Sequence, residues 1–172
     1  MKKVFKILSI LLAICFACPI SAYAADDSYA ERNVGVIIET KEEYFPSEYD
    51  FSMVSLSSGI VDLSEGNSTF TVGKLNANAT YKTDTYSITK STIKIGLQSL
   101  SAASQHIKIT LYKSNGVSVA VTTVSLPWSS ASDAISTYVN FTNLDPSNDY
   151  YAVIKNTDTT QSGLILGVAK QS

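Results

Sequence analysis

The 172-residue sequence has two cysteines, one histidine, one tryptophan and four prolines, and each shortage removes a class of chemistry. Both cysteines, Cys15 and Cys18, lie within the opening stretch MKKVFKILSILLAICFACPISAYA. That stretch is laid out as an export signal. Lys2, Lys3 and Lys6 form a basic start, Ile7 to Ala17 is apolar, Pro19 breaks the run, and Ala22-Tyr23-Ala24 has the small-x-small form of a cleavage site. The apolar run is shorter than the ~20 residues a membrane-spanning helix needs. Neither cysteine has a lipobox in front of it: Ile14 is too large before Cys15, and Cys15 stands where leucine belongs before Cys18. The style resembles that of Gram-positive bacterial secretory signals. The expectation is cleavage near Ala24 and a secreted, extracellular product.

Cleavage there leaves 148 residues with no cysteine, hence no disulfide and no thiolate metal site. It also removes three lysines, leaving 10 basic against 15 acidic residues, a net charge of −5. An acidic protein lacks the basic face that nucleic acid requires, so no nucleic-acid partner is expected. No later apolar stretch approaches spanning length, and stable membrane insertion is not expected. A chain of this size is expected to form one domain whose core needs no disulfide staples.

A single histidine, His106, leaves little catalytic machinery. A Ser-His-Asp triad would have to use it, and no nucleophile elbow lies near it. With no mature cysteine, ordinary zinc and copper sites are also missing. A glycosidase needs only two opposed carboxylates, but the densest acids, Glu39, Glu42, Glu43 and Glu48, cluster near the start of the chain. Phosphate-cradling glycine loops are absent. The protein is expected not to be an enzyme and to hold no cofactor. Calcium is the one metal with candidate ligands: Asp145, Asn148 and Asp149 share a loop and Asp158 lies in the next, although no Asp-x-Asp-x-Asp-Gly loop is present. Asn and Asp in turns more often serve backbone geometry.

Charge divides the remainder unevenly. Residues 25–65 carry 10 acidic residues against Arg32 and Lys41, whereas residues 66–172 carry 5 acidic against 8 basic. Residues 25–50 therefore read as an acidic, partly flexible leader and 51–172 as the folded domain. Within that domain apolar residues alternate with period two, the pattern of half-buried strands. Ile93, Ile95 and Leu97 share one face. Ile107, Ile109 and Leu111 share another, opposite His106, Lys108, Thr110 and Tyr112. Asn115-Gly116 follows, and a two-residue type I′ turn there pairs Ser114 with Val117, Leu111 with Ala120 and Ile107 with Val124. Further strands are expected at Val34–Thr40, Asp50–Leu56, Ile60–Leu63, Thr69–Val72, Thr80–Ile88, Thr137–Phe141, Tyr150–Asn156 and Leu164–Ala169, with a short helix only at Ser129–Ser136. The expected fold is all-β, an antiparallel β-sandwich of jelly-roll or Greek-key type.

Leu144-Asp-Pro146-Ser-Asn-Asp-Tyr150 leading into a strand resembles the tyrosine corner of fibronectin type III domains, which implies that the Tyr150 phenol ties a turn to the strand. The series Ile95-Gly96-Leu97, Leu111-Tyr112, Asn115-Gly116 and Tyr150-Tyr151-Ala152-Val153 is similar to the bacterial pre-peptidase C-terminal domain, over about 65 residues. That resemblance implies a sandwich with calcium, carbohydrate or protein contacts.

What remains open is binding. The first expectation is a module that contacts an extracellular protein or a cell surface. The second is a stand-alone carbohydrate-binding module, with Trp128, Tyr112 and Tyr138 as ligand-binding candidates because flat exposed aromatics stack on sugar rings. A secreted toxin or bacteriocin-like factor is a third.

Overall fold

The computed structural model describes residues 33–43, 45, 59–101, 103–129 and 134–172. The expected export signal, most of the expected acidic leader and the Asp50–Leu56 segment lie outside the described residues, as do residues 130–133, half of the Ser129–Ser136 segment. Eleven strands are described: β1 Gly35–Glu42, β2 Ile60–Asp62, β3 Ser68–Lys74, β4 Thr80–Lys82, β5 Thr85–Ser87, β6 Ile93–Leu100, β7 Gln105–Lys113, β8 Ser118–Leu126, β9 Ile135–Thr142, β10 Tyr150–Asn156 and β11 Leu164–Lys170.

The strands form two sheets packed face to face. Sheet A runs β1-β9-β6-β11-β3, and sheet B runs β2-β5-β10-β7-β8 with β4 also on β10. The antiparallel pairs nest: β7 with β8, β6 with β9, β5 with β10 and β3 with β11, alternating between the sheets. A long hairpin folded over itself gives this order, which is the jelly roll. β1 extends sheet A beyond β9, and β2 extends sheet B beyond β5. The sandwich is not wholly antiparallel, because β2 runs parallel to β5, with Val61 beside Tyr86. Nor does the sheet wait for residue 51. Glu39, Lys41 and Glu42 looked like part of a leader, yet Gly35–Glu42 pairs residue for residue with Thr142–Ile135.

Alternation decides which side chains enter the interior. In β7, Ile107, Ile109 and Leu111 are fully buried, and in β10 so are Ala152 and Ile154, together with Ile93, Ile95 and Phe141 of sheet A. β11 is different: Leu-Ile-Leu-Gly-Val-Ala is apolar without alternation, the mark of a strand covered on both faces. Its inward side chains Ile165 and Ala169 join the main core. Its outward ones, Leu166 and Val168, pack with Phe45 and Tyr138 in a second cluster on the outer face of sheet A.

The Asn115-Gly116 hairpin keeps the expected core register but not the expected turn. A type I′ turn needs positive φ at both residues, and only Gly116 has it (φ 88°). Lys113 donates its N–H to Val117 O at 2.8 Å, and Gly116 donates to Lys113 O at 2.9 Å, which closes a three-residue loop. The Asn115 side-chain oxygen accepts from Val117 N–H at 3.1 Å, and Asp149 O takes the Ser114 N–H at 2.8 Å, so Ser114 does not pair with Val117. The extra residue is absorbed where the register shifts between Leu111 and Tyr112. Leu111 still opposes Ala120 and Ile107 still opposes Val124, whereas Tyr112 now faces Ser118. The bulge therefore places a small serine, not Val119, across from the tyrosine.

Candidate functional site

The Tyr150 phenol ties the turn before β10 to that strand. The Tyr150 hydroxyl accepts from Asp145 N–H and donates to Asp145 O, both at 3.0 Å. Asp145 Oδ1 accepts from the N–H and hydroxyl of Ser147, at 3.0 and 2.8 Å. This fastens the start of β10 and orients its alternation: Tyr150, Ala152, Ile154 and Asn156 point inward, and Tyr151, Val153 and Lys155 point outward.

β7 lies directly beside β10, and its outward residues are His106, Lys108, Thr110 and Tyr112. Register then fixes the neighbours: Tyr112 opposite Tyr151, Thr110 opposite Val153 and Lys108 opposite Lys155. The two tyrosine rings stack with centroids 5.2 Å apart and planes 10° from parallel. Lys82, from β4 on the other side of β10, sets its Nζ 4.0 Å from the Tyr151 centroid. Tyr151 is thus covered on one face by a ring and on the other by a cation, an attractive arrangement for the ring quadrupole. The residue across from Tyr112 on β8 is Ser118, which is too short to stack on a ring.

The far end of this face is closed by His106 and Asp158. The His106 N–H donates to Asp158 Oδ2 at 2.8 Å, and Nδ1 lies 2.9 Å from Oδ1. The backbone N–H of His106 is the largest influence holding the Asp158 carboxyl below its usual range, ahead of contributions from the imidazole. A depressed folded-state value means the stabilisation is complete above the unfolded value of about 3.9 and is lost as pH falls through the folded value. The Asp158 carboxyl is accordingly expected to titrate below about 3.9 by carbon-detected NMR. Asp158→Asn should flatten the acid limb of the stability curve below about pH 4. An ordinary titration midpoint would show that the contact does not persist in solution.

The candidates chosen from sequence do not converge. Tyr112 lies on the outer face of sheet B. Trp128 is 47% exposed but follows the end of β8 that pairs with Gln105, about 23 Å along the strand from Tyr112. Tyr138 is 1% exposed, on the outer face of sheet A. Its ring has the ammonium groups of Lys41, Lys94 and Lys170 at 5.5, 4.6 and 5.3 Å, and its hydroxyl donates to the Glu43 carboxylate. The calcium candidates are also divided. Asp145, Asn148 and Asp149 precede β10 and Asp158 follows it, about 20 Å of strand away. Among the described residues no group of three His, Cys, Asp or Glu could hold a metal ion.

Sequence reasoning passed over Tyr151, Lys82 and Lys155, and did not treat Lys108 as a binding residue. Parity within β10 marks Tyr151 and Lys155 as outward, but only long-range pairing puts them beside Tyr112 and Lys108. Comparison with known proteins adds no assignment: no family model, curated protein or solved structure matches the chain.

Proposed function

We propose that the protein is an exported, non-catalytic binding module that holds a cell-surface partner on the outer face of sheet B. The observation that carries this reading is the Lys82–Tyr151–Tyr112 stack, which ends at Tyr112 beside the small Ser118 on a strand-built surface. A site built on paired strands is rigid, so little side-chain freedom is lost when a partner docks. Binding of the purified protein to whole cells and to isolated cell-wall polymer should fall at least about tenfold with Tyr112→Ala or Tyr151→Ala. Trp128→Ala should leave it unchanged.

Carbohydrate binding centred on Trp128 is the second reading, favoured by the 47% exposure of that side chain. A glycan-array signal lost with Trp128→Ala and kept with Tyr112→Ala selects it over the first. Binding indifferent to all three substitutions removes both.

A further inference from the structure

The lysines of the two outer faces are treated differently. On sheet A, Lys94 pairs with Glu39 at 3.0 Å, and the Glu43 carboxylate meets Tyr138 within the ring of Lys41, Lys94 and Lys170. The Lys94 contact is the main reason the Glu39 carboxyl sits below its ordinary range. On sheet B, Lys82, Lys108 and Lys155 make no ion pair among the described residues. Lys108 and Lys155 stand directly opposite one another in the β7–β10 register. Like charges in that position oppose strand pairing. An anion lying across them reverses the sign of the contact.

Resting on the proposed binding face, we infer that its partner is an acidic polysaccharide. Sugar rings stack on Tyr112, and their carboxylates or sulfates meet Lys82, Lys108 and Lys155. The cations and the aromatic pair spread over about 13 Å along β10, from Tyr151 to Lys155, so the surface engages several successive sugars. Thr80 and Thr123 flank the lysines on the same face and supply hydroxyls suited to sugar hydroxyls. Lysine is a compact point charge on a flexible stem, matched to scattered single anions. The full chain carries net −2, which disfavours the dense phosphate line of nucleic acid and leaves attraction local to this face.

Titration calorimetry with polygalacturonate, hyaluronan and heparin, against dextran as neutral control, tests this. At least one acidic polymer should bind and dextran should not, with affinity falling as NaCl rises from about 50 to about 300 mM. Lys155→Glu is the decisive variant. It should abolish acidic-polymer binding while holding or raising Tm, because it creates an opposite-charge cross-strand pair with Lys108. Loss of binding with unchanged fold therefore cannot come from unfolding, and Lys82→Gln should weaken binding on its own. Several outcomes overturn the inference: no binding to any of the three polymers, equal binding to dextran, indifference to Lys155→Glu, or tighter lysine-dependent binding of poly(U) or an acidic protein. If Tyr112→Ala still lowers cell binding in those cases, the face remains the binding site and only the acidic ligand is lost. If Tyr112→Ala has no effect either, the face itself is excluded.

Discussion

Replacing Asn156 with alanine is expected to cost about 3 kcal/mol, more than any change on the proposed binding face, through loss of buried hydrogen bonds. Asn156 closes β10 and is fully buried. Its Nδ2 donates to Thr160 O at 2.8 Å and Leu75 O at 3.1 Å, with a longer contact to Asn76 O at 3.4 Å. Its Oδ1 accepts from Asp158 N–H at 3.0 Å. One side chain thus ties the loop after β3 to the loop between β10 and β11. Leu75 O keeps a second donor, Ser162 N–H at 2.7 Å, so the loss concentrates on Thr160 O, Asn76 O and the Asp158 N–H. For a domain of this size the cost corresponds to a fall in Tm of roughly 6–12 °C. Asn156→Asp is a sharper version. It removes the donor and aims a second oxygen at those carbonyls, so it should be worse than alanine at neutral pH and partly recover where the acid is protonated. Thr159→Ala, in the same exposed loop, should shift Tm little. A Tm within 2 °C of the parent for Asn156→Ala would show that water replaces the amide without loss.

The residues around Asn156 show how far a sequence carries this fold. Alternation in β7 and β10 assigns every side chain to the interior or the exterior, and the Leu-x-Pro-x-x-x-Tyr run anticipates the Tyr150 tie. Those features are local. Asn156 looks like any strand-end asparagine until Leu75 and Thr160 are brought to it, and Leu75 lies 81 residues away. The same limit applies to the proposed binding face. Lys108 and Lys155 are each recognisably outward, but their opposition is a matter of pairing across the loops between β7 and β10. Charge misled at β1. Glu39, Lys41 and Glu42 suit a solvated leader, and they suit equally well an edge strand whose outer face carries the Glu39–Lys94 pair. The unbroken apolar run of β11 signals a strand covered on both faces, without naming Phe45 as part of the cover.

The two outer faces divide the molecule's work. Sheet A uses its outer face for structure: Phe45, Tyr138, Leu166 and Val168 form a second core there, with acids and lysines matched around it. On sheet B, Lys82, Lys108 and Lys155 make no ion pair among the described residues. The bulge that sets Ser118 against Tyr112 belongs to the same design, since a valine across from the ring would cover it. Bulges commonly re-aim side chains beside functional sites. The main core between the sheets is closely filled under the middle of β11.

At that point Gly167→Val is expected to destabilise the protein by about 3 kcal/mol or more, and Gly167→Ala by somewhat less, as overpacking does in a filled core. Gly167 faces inward from the middle of β11, opposite Phe70 of β3. A methyl group there would overlap the Phe70 ring itself. The ring lies over the glycine because it also stacks on Tyr81 of the opposite sheet, with centroids 5.8 Å apart and planes 15° from parallel. Tyr81 sits in β4, against Ile154 of β10, so the displaced ring pushes on the strand that carries Tyr151 and Lys155. The cause can be separated from a general effect on strand propensity by a double-mutant cycle with Phe70→Leu, which shortens the ring that blocks the methyl. Phe70→Leu alone should be destabilising, yet Gly167→Ala/Phe70→Leu should be more stable than the two single costs predict, by at least about 1 kcal/mol. Additive costs in urea denaturation would mean that Phe70 moves aside freely, and that glycine at 167 answers to some constraint other than the ring above it.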